Sequence, residues 1–203
     1  MAPNNKKKTT ILKLRHQKKI GKKTVLITAY DYPQAILADR AGVDAILVGD
    51  SLGMTTLGYD TTIPVTMEDM ILHCKAVFRG NKNALLIGDM PYMSYQVSNE
   101  KAVENAGRLM QAGMDCIKVM SHLGLTPHTR AKLGGYRVQG KTAKDTEIIL
   151  DQALRLQDAG CSFLLLEAMP MESAALIAEK LEIPVYGIGA GDKVDGQLVI
   201  MHD

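Results

Sequence analysis

Short apolar runs alternate with amphipathic stretches along this chain, and several of the runs stop at an acid. TVLITAY (24–30), AILVGD (45–50), ALLIGD (84–89), CIKV (116–119), MSHLG (120–124), FLLLE (163–167), VYGIGAG (185–191) and LVIMHD (198–203) read as eight strands. Between them lie helical patterns. PQAILADRAG closes at Gly42, and MEDMILHCKAVFRG follows Thr66 as N-cap and stops at Gly80. SNEKAVENAGRLMQAG opens on Ser98 and stops at Gly113, and DTEIILDQALRLQDAG and ESAALIAEKLE repeat the pattern. LGMTTLGYDTTIPV reads as a glycine-containing loop, and a second loop carries Gly134, Gly135 and Gly140.

Strand, helix, strand, helix is the order of a parallel sheet covered by helices, and eight strands is the number of a closed (β/α)8 barrel. An open doubly wound sheet is the structural alternative, but TAYDYP stands where that fold carries a phosphate-type glycine turn. One place breaks the order. CIKV and MSHLG are almost contiguous, whereas parallel neighbours need a crossover of about a dozen residues or more. The expectation is that a βα segment near Val119–Met120, and a closing C-terminal helix, are absent from the chain.

Composition adds bounds. The chain has 203 residues, 46% hydrophobic and 23% charged, with a net charge of +2. That suits one barrel domain over 1–203 with a polar tail at about 1–9, and gives no reason to invoke nucleic acid. Lys6, Lys7 and Lys8 read as part of a solvated start. No run approaches the ~18 apolar residues of a bilayer span. Cys74, Cys116 and Cys161 are odd in number and widely spaced, as in reduced thiols of a cytoplasmic protein, not a zinc site.

The chemistry lies at the strand ends. A carboxylate is costly to bury without a partner, so Asp50, Asp89 and Glu167 together predict one shared pocket at the C-terminal end of the strands. Asp50 and Asp89 can share a hard cation such as magnesium, or simply cap nearby backbone N–H groups. Glu167, between Phe163–Leu166 and Ala168–Pro170, has apolar surroundings that suit a general base; a strand-end salt bridge is the plainer reading. Lys118 can hold a substrate carboxylate, or pair with an acid. His122 alone is more often a core histidine. GIGAG (187–191) offers a backbone turn that can approach a ligand but is not a dinucleotide fingerprint. The methionines at 67, 70, 110 and 114 have helical spacing and read as core filler.

TAYDY (28–32), LVGDSLGM (47–54), HLGLTPH (122–128), GGYRVQG (134–140), LLLEAMP (164–170) and IPVYGIGAG (183–191) together resemble the ketopantoate hydroxymethyltransferase family, over about 10–203. The resemblance implies a (β/α)8 TIM barrel of the phosphoenolpyruvate/pyruvate superfamily, assembled as a homodecamer. It implies transfer of a one-carbon unit from 5,10-methylenetetrahydrofolate to 3-methyl-2-oxobutanoate, giving 2-dehydropantoate on the route to pantothenate and coenzyme A. It assigns Asp50 and Asp89 to Mg²⁺, Asp50, Ser51, Asp89, Lys118 and His122 to the substrate, and Glu167 to the proton. One departure stands out: the family reads lysine, apolar residue, glutamate, where this chain reads Lys118, Val119, Met120. Other readings are a magnesium-dependent lyase or mutase acting on another 2-oxo acid, and a non-catalytic barrel subunit.

Overall fold

The computed structural model describes residues 7–118, 122–125 and 137–202. Met120, Gly134 and Gly135 lie outside them. The elements in chain order are α1 (Ile11–Lys19), β1 (Thr24–Thr28), α2 (Tyr32–Ala41), β2 (Ala45–Val48), α3 (Leu52–Thr55), α4 (Met67–Gly80), β3 (Leu85–Asp89) and α5 (Asn99–Gln111). β4 (Cys116–Lys118), β5 (His122–Gly124), α6 (Ala143–Asp158), β6 (Leu164–Glu167), α7 (Met171–Lys180), β7 (Val185–Ile188) and β8 (Gly196–Val199) follow. All eight expected strands form. The last begins two residues earlier than its apolar run, and Met201 and His202 lie in a turn instead: the Met201 N–H donates to Thr28 Oγ1 at 3.1 Å.

The chain divides into two compact units, Met1–Thr10, Leu26–Val119 and Val199–Asp203 in the first, Ile11–Val25 and Met120–Leu198 in the second. In the first, β1 pairs with β2, β2 with β3 and β3 with β4, all parallel. Every residue of β2 and β3 is buried, the condition of a parallel strand covered on both faces. Ile46, Val48 and Leu86 pack with Met70, Cys74 and Val77 of α4 and Leu109 of α5. Helix α4 starts at a capping box: Asp69 N–H donates to Thr66 Oγ1 at 3.1 Å, and Thr66 N–H returns a bond to Asp69 Oδ2 at 2.9 Å. The basic start is anchored at its end and is not wholly solvated. Lys8 Nζ lies 2.6 Å from Asp115 Oδ1, and the buried Thr9 donates to Asn83 O at 2.7 Å.

In the second unit β5 pairs with β6, β6 with β7 and β7 with β8, again in parallel. Leu164, Leu166 and Val185 pack against Ile149 and Ala153 of α6 and Ala174 and Ile177 of α7. Helix α1, which the apolar pattern does not announce, belongs here. It buries only Leu14 and Gln17 and is held by a polar contact: Lys18 Nζ donates to Asp195 Oδ2 at 2.7 Å and Ala178 O at 2.8 Å. Asp195 Oδ2 also accepts the Val185 N–H at 2.8 Å, so one carboxylate fixes α1 and the start of β7.

Candidate active site

The parallel register brings the first unit's polar residues to neighbouring strand ends. Val48 is opposite Gly88, so Asp50 stands two residues past β2 while Asp89 is the last residue of β3. Asp89 is in turn opposite Lys118, the last residue of β4. Asp89 is buried and Asp50 half-buried, and both have polar or electrostatic partners. The Cys74 thiol on α4 is pushed up to about 12, chiefly by burial and secondly by the negative charge of Asp89.

Ser51 follows Asp50 and occupies the N-cap of α3, yet its side chain makes no cap bond. Its Oγ lies 2.8 Å from Tyr30 Oη. Gly49 leaves room for this, since a Cβ there would come within 3.1 Å of Ser51 Oγ. Sequence reasoning passed over Tyr30, His73 and His202. Nothing in their spacing marks them, although Tyr30 lies within TAYDY.

The second unit brings together a different pair. β5 and β6 set Gly124 opposite Glu167, and His122 Nε2 lies 3.0 Å from Glu167 Oε2, an ion-pair separation rather than an aligned hydrogen bond. Both side chains are largely covered, at 10% and 21% exposure. Gly124, with φ +88°, allows this close approach, because a Cβ there would overlap the carbonyl oxygen of Glu167. The chain then turns at Ala168, whose φ of 48° is left-handed. GIGAG braces that turn: the Ala168 N–H donates to Ile188 O at 2.9 Å and the Met169 N–H to Gly189 O at 3.2 Å.

Among the described residues no group of three or more His, Cys, Asp and Glu gathers as a metal set. Two carboxylates on adjacent strand ends nonetheless fit a magnesium ion. That ion takes hard oxygen donors and commonly only one or two protein carboxylates, leaving positions for water and substrate. The cysteines are free, and the thiols of Cys74 and Cys116 are pushed up to about 12, mainly by burial.

Comparison with solved structures gives the class. Phosphonopyruvate hydrolase, in complex with oxalate and Mg²⁺, matches at TM-score 0.67 with 14% identity, over 96% of this chain and 81% of that one. 2,3-Dimethylmalate lyase, a PEP mutase/isocitrate lyase superfamily member, matches at TM-score 0.63 with 14% identity, over 94% and 80%. The fold class is therefore α/β, the (β/α)8 barrel type of these structures. Within it, residues 8–119 and 115–203 match the model of the ketopantoate hydroxymethyltransferase family, and the chain belongs to that family. The 3-methyl-2-oxobutanoate hydroxymethyltransferase of Geobacillus kaustophilus (strain HTA426) is 49% identical over 209 residues, covering 93% of this chain and 75% of the relative.

These matches also locate the break in strand order. The family match falls in two pieces that overlap at 115–119, across β4 and before β5. The match to the Geobacillus relative spans 209 residues, although 93% of 203 is about 189, so about 20 positions of it have no counterpart here. That exceeds the dozen or so residues that a crossover between parallel strands needs at the least.

Proposed function

We propose that this chain is a 3-methyl-2-oxobutanoate hydroxymethyltransferase, a cytoplasmic transferase of pantothenate biosynthesis that uses 5,10-methylenetetrahydrofolate as one-carbon donor. The observation that carries the reading is Glu167, set at the end of β6 with His122 against one of its oxygens, in a chain of this family. Asp50 and Asp89 would hold magnesium, which would supply Lewis-acid stabilisation of charge on the 2-oxo oxygen.

The rest of the chemistry falls to the chain's own groups. Lys118 and Ser51 bind the keto acid's carboxylate end. His122 fixes Glu167 Oε2, and the second oxygen removes the C3 proton. The resulting C3 carbanion character is spent in a new bond to the folate's methylene carbon. Water supplies the hydroxyl oxygen to that carbon, both of its C–N bonds break with their electrons returning to the two folate nitrogens, and those nitrogens take up the C3 proton and one proton of the water. Positive charge on Lys118 favours the enolate form.

A homo-oligomer, decameric as in the family resemblance, accords with Leu37, Leu72 and Val103, which are 62%, 66% and 73% exposed on α2, α4 and α5. Among the described residues no helix is long and apolar enough to cross a membrane.

The test is proton exchange at C3 of 3-methyl-2-oxobutanoate in D₂O, with Mg²⁺ and without folate, followed by NMR. Exchange that EDTA abolishes is the expected result, and folate addition then yields 2-dehydropantoate. Absence of exchange from folded, magnesium-loaded protein overturns the reading.

A further inference from the structure

We propose that Tyr30 is a positioning residue for the keto-acid end of the substrate, acting through Ser51. This rests on the reading of Ser51 as a substrate contact.

The argument starts from what Ser51 does not do. Asp31, Thr66, Ser98 and Thr142 each spend a side-chain oxygen on the first turn of their helix, which is why such residues are favoured at N-caps. Ser51, before α3, is instead helical, with φ −54° and ψ −20°, and its side chain makes no such bond. Its backbone carbonyl is occupied, accepting from Thr55 Oγ1 at 3.0 Å, so the residue is fixed while its hydroxyl is turned to Tyr30.

Tyr30 is held on every side. It is fully buried. Its N–H donates to Gln34 Oε1 at 2.8 Å, and its carbonyl oxygen lies 2.5 Å from His73 Nδ1. The His202 ring stacks on it with centroids 5.4 Å apart, and Gln34 Nε2 reaches His202 Nε2 at 3.1 Å. Gln34 is itself placed by its N–H bond to the cap residue Asp31 at 2.8 Å. A tyrosine whose backbone and ring are both clamped delivers its one mobile group, the hydroxyl, to a fixed point. The phenol is the more acidic of the two hydroxyls, and with it as donor to Ser51 the serine's own hydrogen is left to point elsewhere. A serine hydrogen with a set direction is a ready donor to a carboxylate oxygen. Tyr30 thus selects the orientation of a group beside Asp50 without touching substrate.

The experiment measures C3 exchange kinetics for wild type, Tyr30→Phe, Ser51→Ala and the double variant, with melting temperatures alongside. Tyr30→Phe keeps the ring and its stack. The expected result is a KM for the keto acid raised about 3- to 10-fold, with kcat within about twofold. In the Ser51→Ala background the same change adds nothing, because its target is gone. An unchanged KM in Tyr30→Phe, or effects that add, overturns the proposal, as does a fall in melting temperature with KM unmoved. Should Tyr30→Phe fail to fold, His202→Ala loosens the ring from outside and is expected to raise KM about twofold; no change there overturns the proposal equally. Wild-type protein that exchanges while the variants match it defeats only this inference. Wild-type protein that does not exchange removes the functional reading beneath it.

Discussion

The two units are built alike and equipped differently. Both run four parallel strands with helices packed on them, and both place polar side chains where the strands stop. The first offers oxygen donors from Asp50 and Asp89, on strands buried throughout, with a hydroxyl pair beside them. The second offers an imidazole against a carboxylate, on strands whose last residues are half open. Rigid oxygen donors suit a cation, which needs fixed distances. A partly covered acid–base pair suits proton transfer, which needs access for the substrate. On the proposed function, one architecture carries two chemistries, divided by what each strand ends in.

The sharpest test of that division is a crossed pair of variants. Glu167→Gln should lower C3 exchange by about 10²- to 10⁴-fold, the usual worth of a general base, with magnesium affinity by calorimetry unchanged. Asp89→Asn should do the reverse first, weakening magnesium at least about tenfold. Equal loss of metal binding in both variants would break the comparison. Next in size is Gly124→Ala. Its Cβ has no room beside the Glu167 carbonyl and its φ of +88° strains any side chain, so about 3 kcal/mol of stability and most of the exchange activity should go together. Denaturant unfolding and the exchange assay check this.

The cysteines give a pH test of the same contrast. Cys74 and Cys116 in the first unit are pushed up to about 12 chiefly by burial, and burial also raises Cys161 in the second. A thiol reagent at pH 8 should label Cys161 first, with the other two reacting only on unfolding. The unfolded thiols ionise near 9 and the folded ones near 12, so the unfolded chain holds fewer protons between those values. Stability is therefore fully present below pH 9 and falls as pH rises toward 12, by up to about 1.4 kcal/mol per unit for each buried thiol. Smallest is the capping test. Thr66→Ala should cost about 1 kcal/mol, because it breaks a reciprocal box. Thr142→Ala, at a single-bond cap, should cost about half that, read from melting curves.

What could be read from the sequence followed from local physics. The eight strands were legible because a parallel strand covered on both faces is a nearly unbroken apolar run, as AILV and LLIGD are. Asp50, Asp89 and Glu167 stood out as candidates because an acid ending such a run is costly to bury without a partner. Helix α1 escaped because its hold on the fold is a lysine–aspartate contact between residues 18 and 195, which no periodicity records. The meeting of His122 with Glu167 escaped for the same reason, being set by strand register over 45 positions. Tyr30 was hidden more deeply, since its role depends on what Ser51 leaves undone.

The lysine contact of α1 has a consequence for synthesis. Residues 11–19 leave the ribosome about 175 residues before Asp195, a delay of about 10 to 35 s at ordinary elongation rates. Over that interval the helix lacks the carboxylate that holds it, and with little apolar surface of its own it has little to nucleate on. The second unit therefore closes only when its last strand arrives, so that among these elements the first to be made is among the last to settle.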